Sequence, residues 1–452
     1  MTNMVPEPGH TALSDSSRID PTIEISDGVL PDGRTVDLIR DGSTGELKLL
    51  VFDGKNMEVA GSVRVEDRAF LPVTLDPSIQ RAVTLPSQAC DYEYTEGLFD
   101  ATHEVFTGHG ISEEAADAAC YFVFGTWFPG RSFPASCLVI TGPIPEAMLF
   151  VQLLGCLVRR GLHIGEIDSS GLRLVAEPLR PTLLIDGRRL SRHSLRLLSL
   201  SGPRAYFPCK ESVVDFALPK AIYLGVSPVS DFSPDFSIHI HLLPSRESVT
   251  LLDDKTREQI IADFQPKFVD YRLRNLAAVR ESVFDLSDID SESRVMAQML
   301  GTCIVDSEKV QAGIRRLFQH REYNLREGRW TDLTCVVIEA LLAQCHDPWL
   351  LDESPNNLSS KDVYVNEIAK ASEVILKGRG APAELEPRAI GGILNRLKLY
   401  RTRDARGQRI VLNIGLSREI HFLAQNYQIE SVRNPFPRCQ LCREISEANK
   451  RK

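Results

Sequence analysis

The stretch Cys137-Leu-Val-Ile-Thr-Gly142-Pro-Ile-Pro-Glu146 runs from a buried-strand pattern through a glycine turn into a helix pattern that continues to residue 159. Working outward, the same rhythm recurs. Pro181-Thr-Leu-Leu-Ile-Asp186, Lys220-Ala-Ile-Tyr-Leu-Gly-Val226 and Phe236-Ser-Ile-His-Ile-His-Leu-Leu243 each read as a short apolar strand. Apolar strands alternating with helices predict a mainly parallel sheet covered by helices on both faces. The apolar run Ala147–Val158 has 12 residues and includes Gln152 and Gly155. A membrane span needs about 20, so this segment is predicted to be a buried helix.

The order strand, glycine turn, helix, then a second strand ending in an acid is the skeleton of a P-loop nucleotide site. There the turn is G-x-x-x-x-G-K-[ST], and the second acid helps to hold magnesium. Counted from Gly142, the second glycine falls on Ala147, the lysine on Met148 and the hydroxyl on Leu149. A thioether and an isobutyl group supply neither positive charge nor a magnesium ligand. Pro145 removes an amide donor, and Glu146 adds negative charge where phosphates would sit. Gly142 and Asp186 are therefore the candidate residues of a vestigial nucleotide site. Asp186 admits two readings, a retained site acid or a cap on the turn after a core strand.

Residues 115–290 resemble the helicase-like P-loop ATPases of mobile elements and phage-type replication modules. Phe124-Gly-Thr-Trp127-Phe128 looks like the aromatic helix ahead of the phosphate loop, and Pro181–Asp186 like the second nucleotide motif. Pro219-Lys-Ala-Ile222 followed by Phe236-Ser-Ile-His-Ile240 is similar to a later strand pair, with Phe236 standing where family members usually show arginine. The resemblance implies a fold more than a reaction. ATP and magnesium enter only if the atypical site functions; otherwise no cofactor is expected.

Toward the C-terminus, residues 365–376 read as a helix with Ile368, Ala369, Val374 and Ile375 inward. Residues 386–397 form a second, opened by Pro387 at an early position. Leu399–Arg403, a turn at 404–407 and residues 408–414 then make a hairpin. Helix, turn, helix and hairpin is the order of a winged helix. From Arg388 to Arg409 there are seven basic residues (Arg388, Arg396, Lys398, Arg401, Arg403, Arg406, Arg409) against one acid, Asp404. Such a patch suits phosphate contacts and salt-dependent DNA binding. A protein-binding winged helix with a solvated basic face is the competing reading. The unit also resembles the C-terminal winged helices of the same ATPases.

Residues 23–75 alternate β-type runs with Asp-Gly pairs at 27–28, 32–33, 41–42 and 53–54, which predicts antiparallel hairpins. The complete expectation is a multidomain α/β protein. It has a loose N-terminus (1–20), a small antiparallel β domain (21–94), a P-loop NTPase-like core (95–252), a helical lid or bundle (253–346) interrupted at Pro266, a linker (347–360), a winged helix (361–430) and a basic tail (431–452).

The net charge of −9 over 452 residues averages unlike parts: residues 1–100 carry 18 acids and 8 bases, so the remainder is close to neutral. The overall sign thus leaves nucleic acid open as a partner. Ten cysteines, mostly scattered through apolar runs, fit small buried hydrophobes in a reducing compartment. The polar start carries no signal-like segment, so the reading is a soluble, cytoplasmic protein. Cys439-Gln-Leu-Cys442 is a candidate half of a metal site, with His421 the nearest histidine and at most three ligands in view. His239 and His241 share a strand face, and no G-x-S-x-G elbow appears.

The expected function is a DNA-binding protein on a non-hydrolysing P-loop helicase-like core, acting in replication or maintenance of a mobile element. A homo-oligomer or a replication-protein partner fits that role, and no membrane is involved. The alternatives are an active ATP-dependent helicase or primase-associated ATPase, or a winged-helix regulator that binds protein.

Overall fold

The computed structural model describes residues 22–444 except 130–136, 166–178, 192–193, 196–197, 199–205, 210–211, 216–217, 226–236, 246–247, 282–285, 287–290, 347–359, 382–383, 400–401, 428 and 430–438. The predicted loose N-terminus, nearly all of the linker, much of the basic tail, Phe236 and Arg401 lie outside the described residues. The chain divides into two compact units, residues 1–319 and 320–452. No helix among the described residues is long and apolar enough to cross a membrane.

The first unit opens with β1 (Thr22–Ile25), β2 (Asp27–Val29), β3 (Thr35–Arg40), β4 (Leu47–Phe52), β5 (Met57–Ala60), β6 (Val63–Val65) and β7 (Arg68–Pro72). Strands β2 to β5 form the predicted antiparallel meander, with the pairs Asp32-Gly33, Asp41-Gly42 and Asp53-Gly54 in the turns between neighbours. The all-antiparallel expectation fails at one pair: β1 runs parallel to β7, Thr22 opposite Ala69. The reason is connectivity, because the intervening meander lets the chain return and lay β7 alongside β1 in the same direction.

Helices α1 (Pro77–Ala82), α2 (Thr95–Thr107) and α3 (Glu113–Thr126) follow, then β8 (Cys137–Thr141), α4 (Ile144–Leu157), β9 (Gly161–Ile164) and β10 (Thr182–Asp186). The hairpin β11 (Tyr206–Cys209) and β12 (Ser212–Asp215) precedes β13 (Lys220–Tyr223) and β14 (Ser237–His241). Five of these strands make one sheet in the order β14-β8-β13-β10-β9, and every pairing in it is parallel. Alternate residues serve opposite faces. Leu138, Ile140, Leu184, Tyr223 and Ile238 pack under the helices, while Val139, Leu183, Ile185 and Ile222 face a second apolar layer. Both faces are covered, which is why these strands read as continuous apolar runs.

Helix α5 (Asp254–Glu281) runs through Pro266 without ending. The expected interruption is absent because a missing N–H costs one ladder bond while the helix is pinned beyond it: Gln265, Phe268 and Val269 are buried, and Cys90 N–H donates to the Pro266 carbonyl. Phe268 stacks on Trp127 at 5.4 Å and meets Phe124 edge-on at 5.2 Å. Helices α6 (Ser291–Gly301) and α7 (Glu308–Thr331) complete the helical stretch.

One feature of this unit leaves no periodic trace in the sequence. Asp37 on β3 is buried among three buried arginines, Arg159 and Arg160 from the α4–β9 connection and Arg272 from α5. Arg159 donates two bonds to it at 3.0 and 3.1 Å, and Arg160 and Arg272 donate one each at 2.6 Å. Asp27 on β2 accepts from Arg272 at 2.6 Å and pairs with Arg159 at 3.0 Å. Burial alone would raise the Asp37 carboxyl, but the three guanidinium groups outweigh it and hold it far below the ordinary carboxylate range. The N-terminal β segment is thus joined ionically to the α/β core.

The second unit contains α8 (Leu333–Cys345), β15 (Lys361–Tyr364), α9 (Val365–Gly378), α10 (Pro387–Arg396), β16 (Thr402–Asp404), β17 (Gly407–Leu412) and α11 (Ile414–Asn426). Its sheet is antiparallel in the order β15-β17-β16. Helix α8, expected among the lid helices, contributes Val337, Ile338, Leu341 and Leu342 to the core of this unit beside Ile368, Ile390 and Leu412. Val374 corrects another expectation, since it is 70 % exposed. The inward stripe of α9 is Ile368, Ser372 and Leu376, spaced by four, and Val374 falls on the opposite side.

Candidate functional site

Gly142 closes β8 at the carboxyl edge of the parallel sheet, where ligands of open α/β sheets commonly bind. Its φ is +134°, and a Cβ there would lie 2.5 Å from the Leu242 carbonyl oxygen. Its N–H donates to the Gly225 carbonyl at 3.1 Å, and its own carbonyl accepts from the Tyr223 hydroxyl at 2.9 Å. The Gly142 amide, the group a phosphate cradle would present at this position, is therefore spent on Gly225, while the carbonyl is fixed by a tyrosine. At the first turn of α4, Glu146 accepts from the Ser245 amide at 2.7 Å. Asp186 ends β10 and accepts twice from Arg188, at 2.8 and 2.7 Å, while also capping the turn at 187–189 through the Arg188 amide. The Arg188 guanidinium in turn lies over the Tyr223 ring, 4.9 Å from its centroid.

In the second unit, α10 buries Ile390, Gly391, Ile393 and Leu394 and exposes Arg388, Gly392, Asn395 and Arg396. Asp404 shapes the hairpin turn by accepting from the Arg406 and Gly407 amides at 2.8 and 3.1 Å, the usual role of aspartate at the start of a turn. Between these elements lies a groove of about 500 Å³, whose walls include Asn366, Arg388, Gly392, Asn395, Arg406 and Gln408. Of the predicted basic residues, Arg388, Arg396, Lys398, Arg403 and Arg406 are exposed. Arg409 is half-buried and paired with Asp362 and, at 3.5 Å, with Asp404. The structure thus brings Arg388 and Arg406 to one groove and ties Arg409 to acids.

Cys439 and Cys442 meet two histidines. Cys439 Sγ lies 3.3 Å from His421 Nε2 on α11, and Cys442 Sγ lies 3.2 Å from His346 Nε2 at the end of α8. The two Nε2 atoms are 3.2 Å apart, and all four donor atoms fall within 4.8 Å of one another. His421 Nδ1–H donates to the Ser417 carbonyl at 2.7 Å, which turns Nε2 toward the sulfurs. Burial works against charge on His421, but hydrogen bonds with Cys345 and Cys439 and with the Ser417 carbonyl outweigh it and push it up to about 10. The neighbouring Cys442 thiol, ahead of His346 and His421, holds the Cys439 thiol well below its usual range.

The sequence showed Cys439, Cys442 and His421 but not His346, which is 93 residues from Cys439 in the chain. Pairing every Cys or His at a helix end with the C-x-x-C would have found it. Among the described residues, His239 and His241 do not join a comparable group: they bond to the hydroxyls of Ser237 at 2.8 Å and Thr141 at 3.0 Å.

No protein-family model matches the chain, and none of the curated proteins matches it. Similar solved structures include the apo C-terminal region of NrS-1, at 10 % identity and a TM-score of 0.33, covering 84 % of this chain and 97 % of that one. The active helicase Cch of SCCmec type IV is similar at 11 % identity and a TM-score of 0.39, covering 88 % and 80 %. Drosophila ORC bound to DNA is similar at 12 % identity and a TM-score of 0.19, covering 78 % and 95 %.

Proposed function

We propose that the chain is a DNA-binding protein whose second unit is a winged helix and whose first unit is a P-loop-type core that does not turn over nucleotide. The observation that carries the reading is the groove between α10 and the 404–407 turn. In it, α10 is the helix that enters the major groove, and the hairpin is the wing that follows the phosphates. Arg388 and Arg406 both line that groove. The first turn of α9 lines it through Val365 and Asn366, adding amide donors for phosphate oxygens, whereas Pro387 at the start of α10 has no N–H to add. Replication or maintenance of a mobile element is the setting that the sequence resemblance implies.

Loss of turnover is supported by the turn after β8. Gly142 packs against the Leu242 backbone, its amide is committed to Gly225, and the Asp186 carboxylate is neutralised by Arg188. A triphosphate would have to displace all three and then tolerate Glu146.

The test uses the full chain and a labelled duplex at two salt concentrations. Replacing Arg388, Arg396, Arg403 and Arg406 together with alanine is expected to weaken binding and to flatten the log K against log salt slope by about 3–4, one phosphate per arginine. Unchanged affinity and slope would remove the DNA reading and leave a protein partner for the same face. Titration with magnesium-ATP is expected to release no heat; micromolar binding abolished by Asp186→Ala would overturn the claim about the core.

A further inference from the structure

We propose that His346, His421, Cys439 and Cys442 form a structural zinc site that fastens the C-terminal segment to the second unit. The reading is independent of DNA binding and of the nucleotide question.

Zinc in structural sites takes four nitrogen and sulfur ligands in a tetrahedron, with bonds of about 2.0–2.1 Å to nitrogen and 2.3 Å to sulfur. Those bonds imply edges of roughly 3.3 Å between two nitrogens, 3.6 Å between nitrogen and sulfur, and 3.8 Å between two sulfurs. The observed 3.2 Å between imidazole nitrogens and 3.2–3.3 Å from nitrogen to sulfur match that figure within a few tenths of an ångström. Four donors from three separate elements converge on one point. Cys439 and Cys442 sit three residues apart at the start of a helical turn, where that spacing puts both sulfurs on one side.

Three further observations favour a closed structural site over an open catalytic one. His421, Cys439 and Cys442 are buried, and His346 is half-buried. The donor set is complete at four, leaving no position for water or substrate. The Ser417 carbonyl supplies the outer-shell acceptor that orients a metal-bound histidine. Zinc is favoured among divalent ions because two thiolates with two imidazoles in a tetrahedron suit it. On binding, any protons held by the two sulfurs and the two Nε2 atoms pass to solvent, so that both sulfurs ligate as thiolates and both imidazoles as neutral rings; nothing is oxidised or reduced.

The clip has a mechanical role. It holds residues 439–444 against α11 and the end of α8, two helices that pack on one another. Without metal the hydrogen bonds to His421 and His346 and the burial of the two cysteines remain.

The experiment takes the full chain, purified without added chelator, and measures zinc per chain by plasma emission, followed by exchange with cobalt. One zinc per chain is expected. Cobalt is expected to give intense ligand-field absorption of tetrahedral type with thiolate charge-transfer bands. Cys442→Ser and His346→Ala should each weaken metal binding by more than the roughly 10–100-fold typical of losing an outer-shell partner. Cys90→Ser, an exposed cysteine in the other unit, should leave stoichiometry and spectrum unchanged. Should a variant fail to fold, cobalt titration of the wild-type chain freed of metal decides the matter alone. Substoichiometric metal with no tetrahedral cobalt spectrum, or a Cys439–Cys442 disulfide in freshly purified protein, would overturn the proposal.

Discussion

Asp37→Ala is expected to destabilise the first unit by about 3–5 kcal/mol, the usual cost of removing one partner from a buried ionic group. Three buried guanidinium groups converge on that carboxylate, and among the described residues Asp27 is the one carboxylate that would remain beside them. With domain stabilities of about 5–15 kcal/mol, the loss removes a third or more of what holds the unit together. Urea unfolding of the full chain, followed by tryptophan fluorescence, reads the change directly, since Trp127 is buried beside Arg272 and its carbonyl accepts from that guanidinium at 2.5 Å. A loss below about 1 kcal/mol would show that the cluster is solvated rather than sealed.

The same carboxylate fixes a pH dependence. Its folded-state value is depressed, so its contribution is fully present above the ordinary carboxylate range near 3.9 and is lost as pH falls below it. Stability from this cluster should therefore be flat from neutrality to about pH 5 and drop only in stronger acid. Asp37→Ala should flatten that acid limb.

Gly142→Ala is the second large effect, on the order of 3 kcal/mol, from a glycine-only backbone conformation plus a collision with the Leu242 carbonyl. The collision is with backbone, so no side-chain rotation relieves it. Ile144→Ala, two residues on and half exposed, is expected to change stability by less than about 1 kcal/mol. The comparison separates two meanings of a glycine at this turn. Reduced thermal stability without any change in nucleotide binding makes Gly142 a packing residue; intact stability with lost nucleotide binding would make it a ligand residue and restore the active-site interpretation.

What was legible in the sequence was what repeats locally. The parallel core strands announced themselves because both their faces are apolar, and the 404–407 turn because aspartate and glycine stand where the hairpin needs them. The direction of β1 was not legible, because alternation specifies a strand but not which neighbour it joins. Pro266 misled for a related reason: proline's local cost is fixed, whereas the burial around Phe268 that overrides it comes from distant helices. At the candidate sites, the basic residues of 388–406 could be counted in advance, but the pairing of Arg409 with Asp362 requires β15 to lie beside β17. His346 was hidden because a ligand set is defined by convergence in space, and its four members come from three separate elements.

The cluster around Asp37 also sets an order of events at synthesis. The bond from Arg272 to Asp37 spans 235 residues, so at roughly 5–20 residues per second the strands of the meander emerge some 10–50 s before their last ionic partner exists. Hairpins β2 to β5 can pair among themselves in that interval, because their turns are short. They cannot bury Asp37 until its arginine partners arrive, Arg159 and Arg160 first and Arg272 on α5 last, since a lone carboxylate keeps its water. The first unit is therefore expected to close late and all at once, with its opening segment waiting, paired but hydrated, for a helix encoded more than two hundred codons downstream.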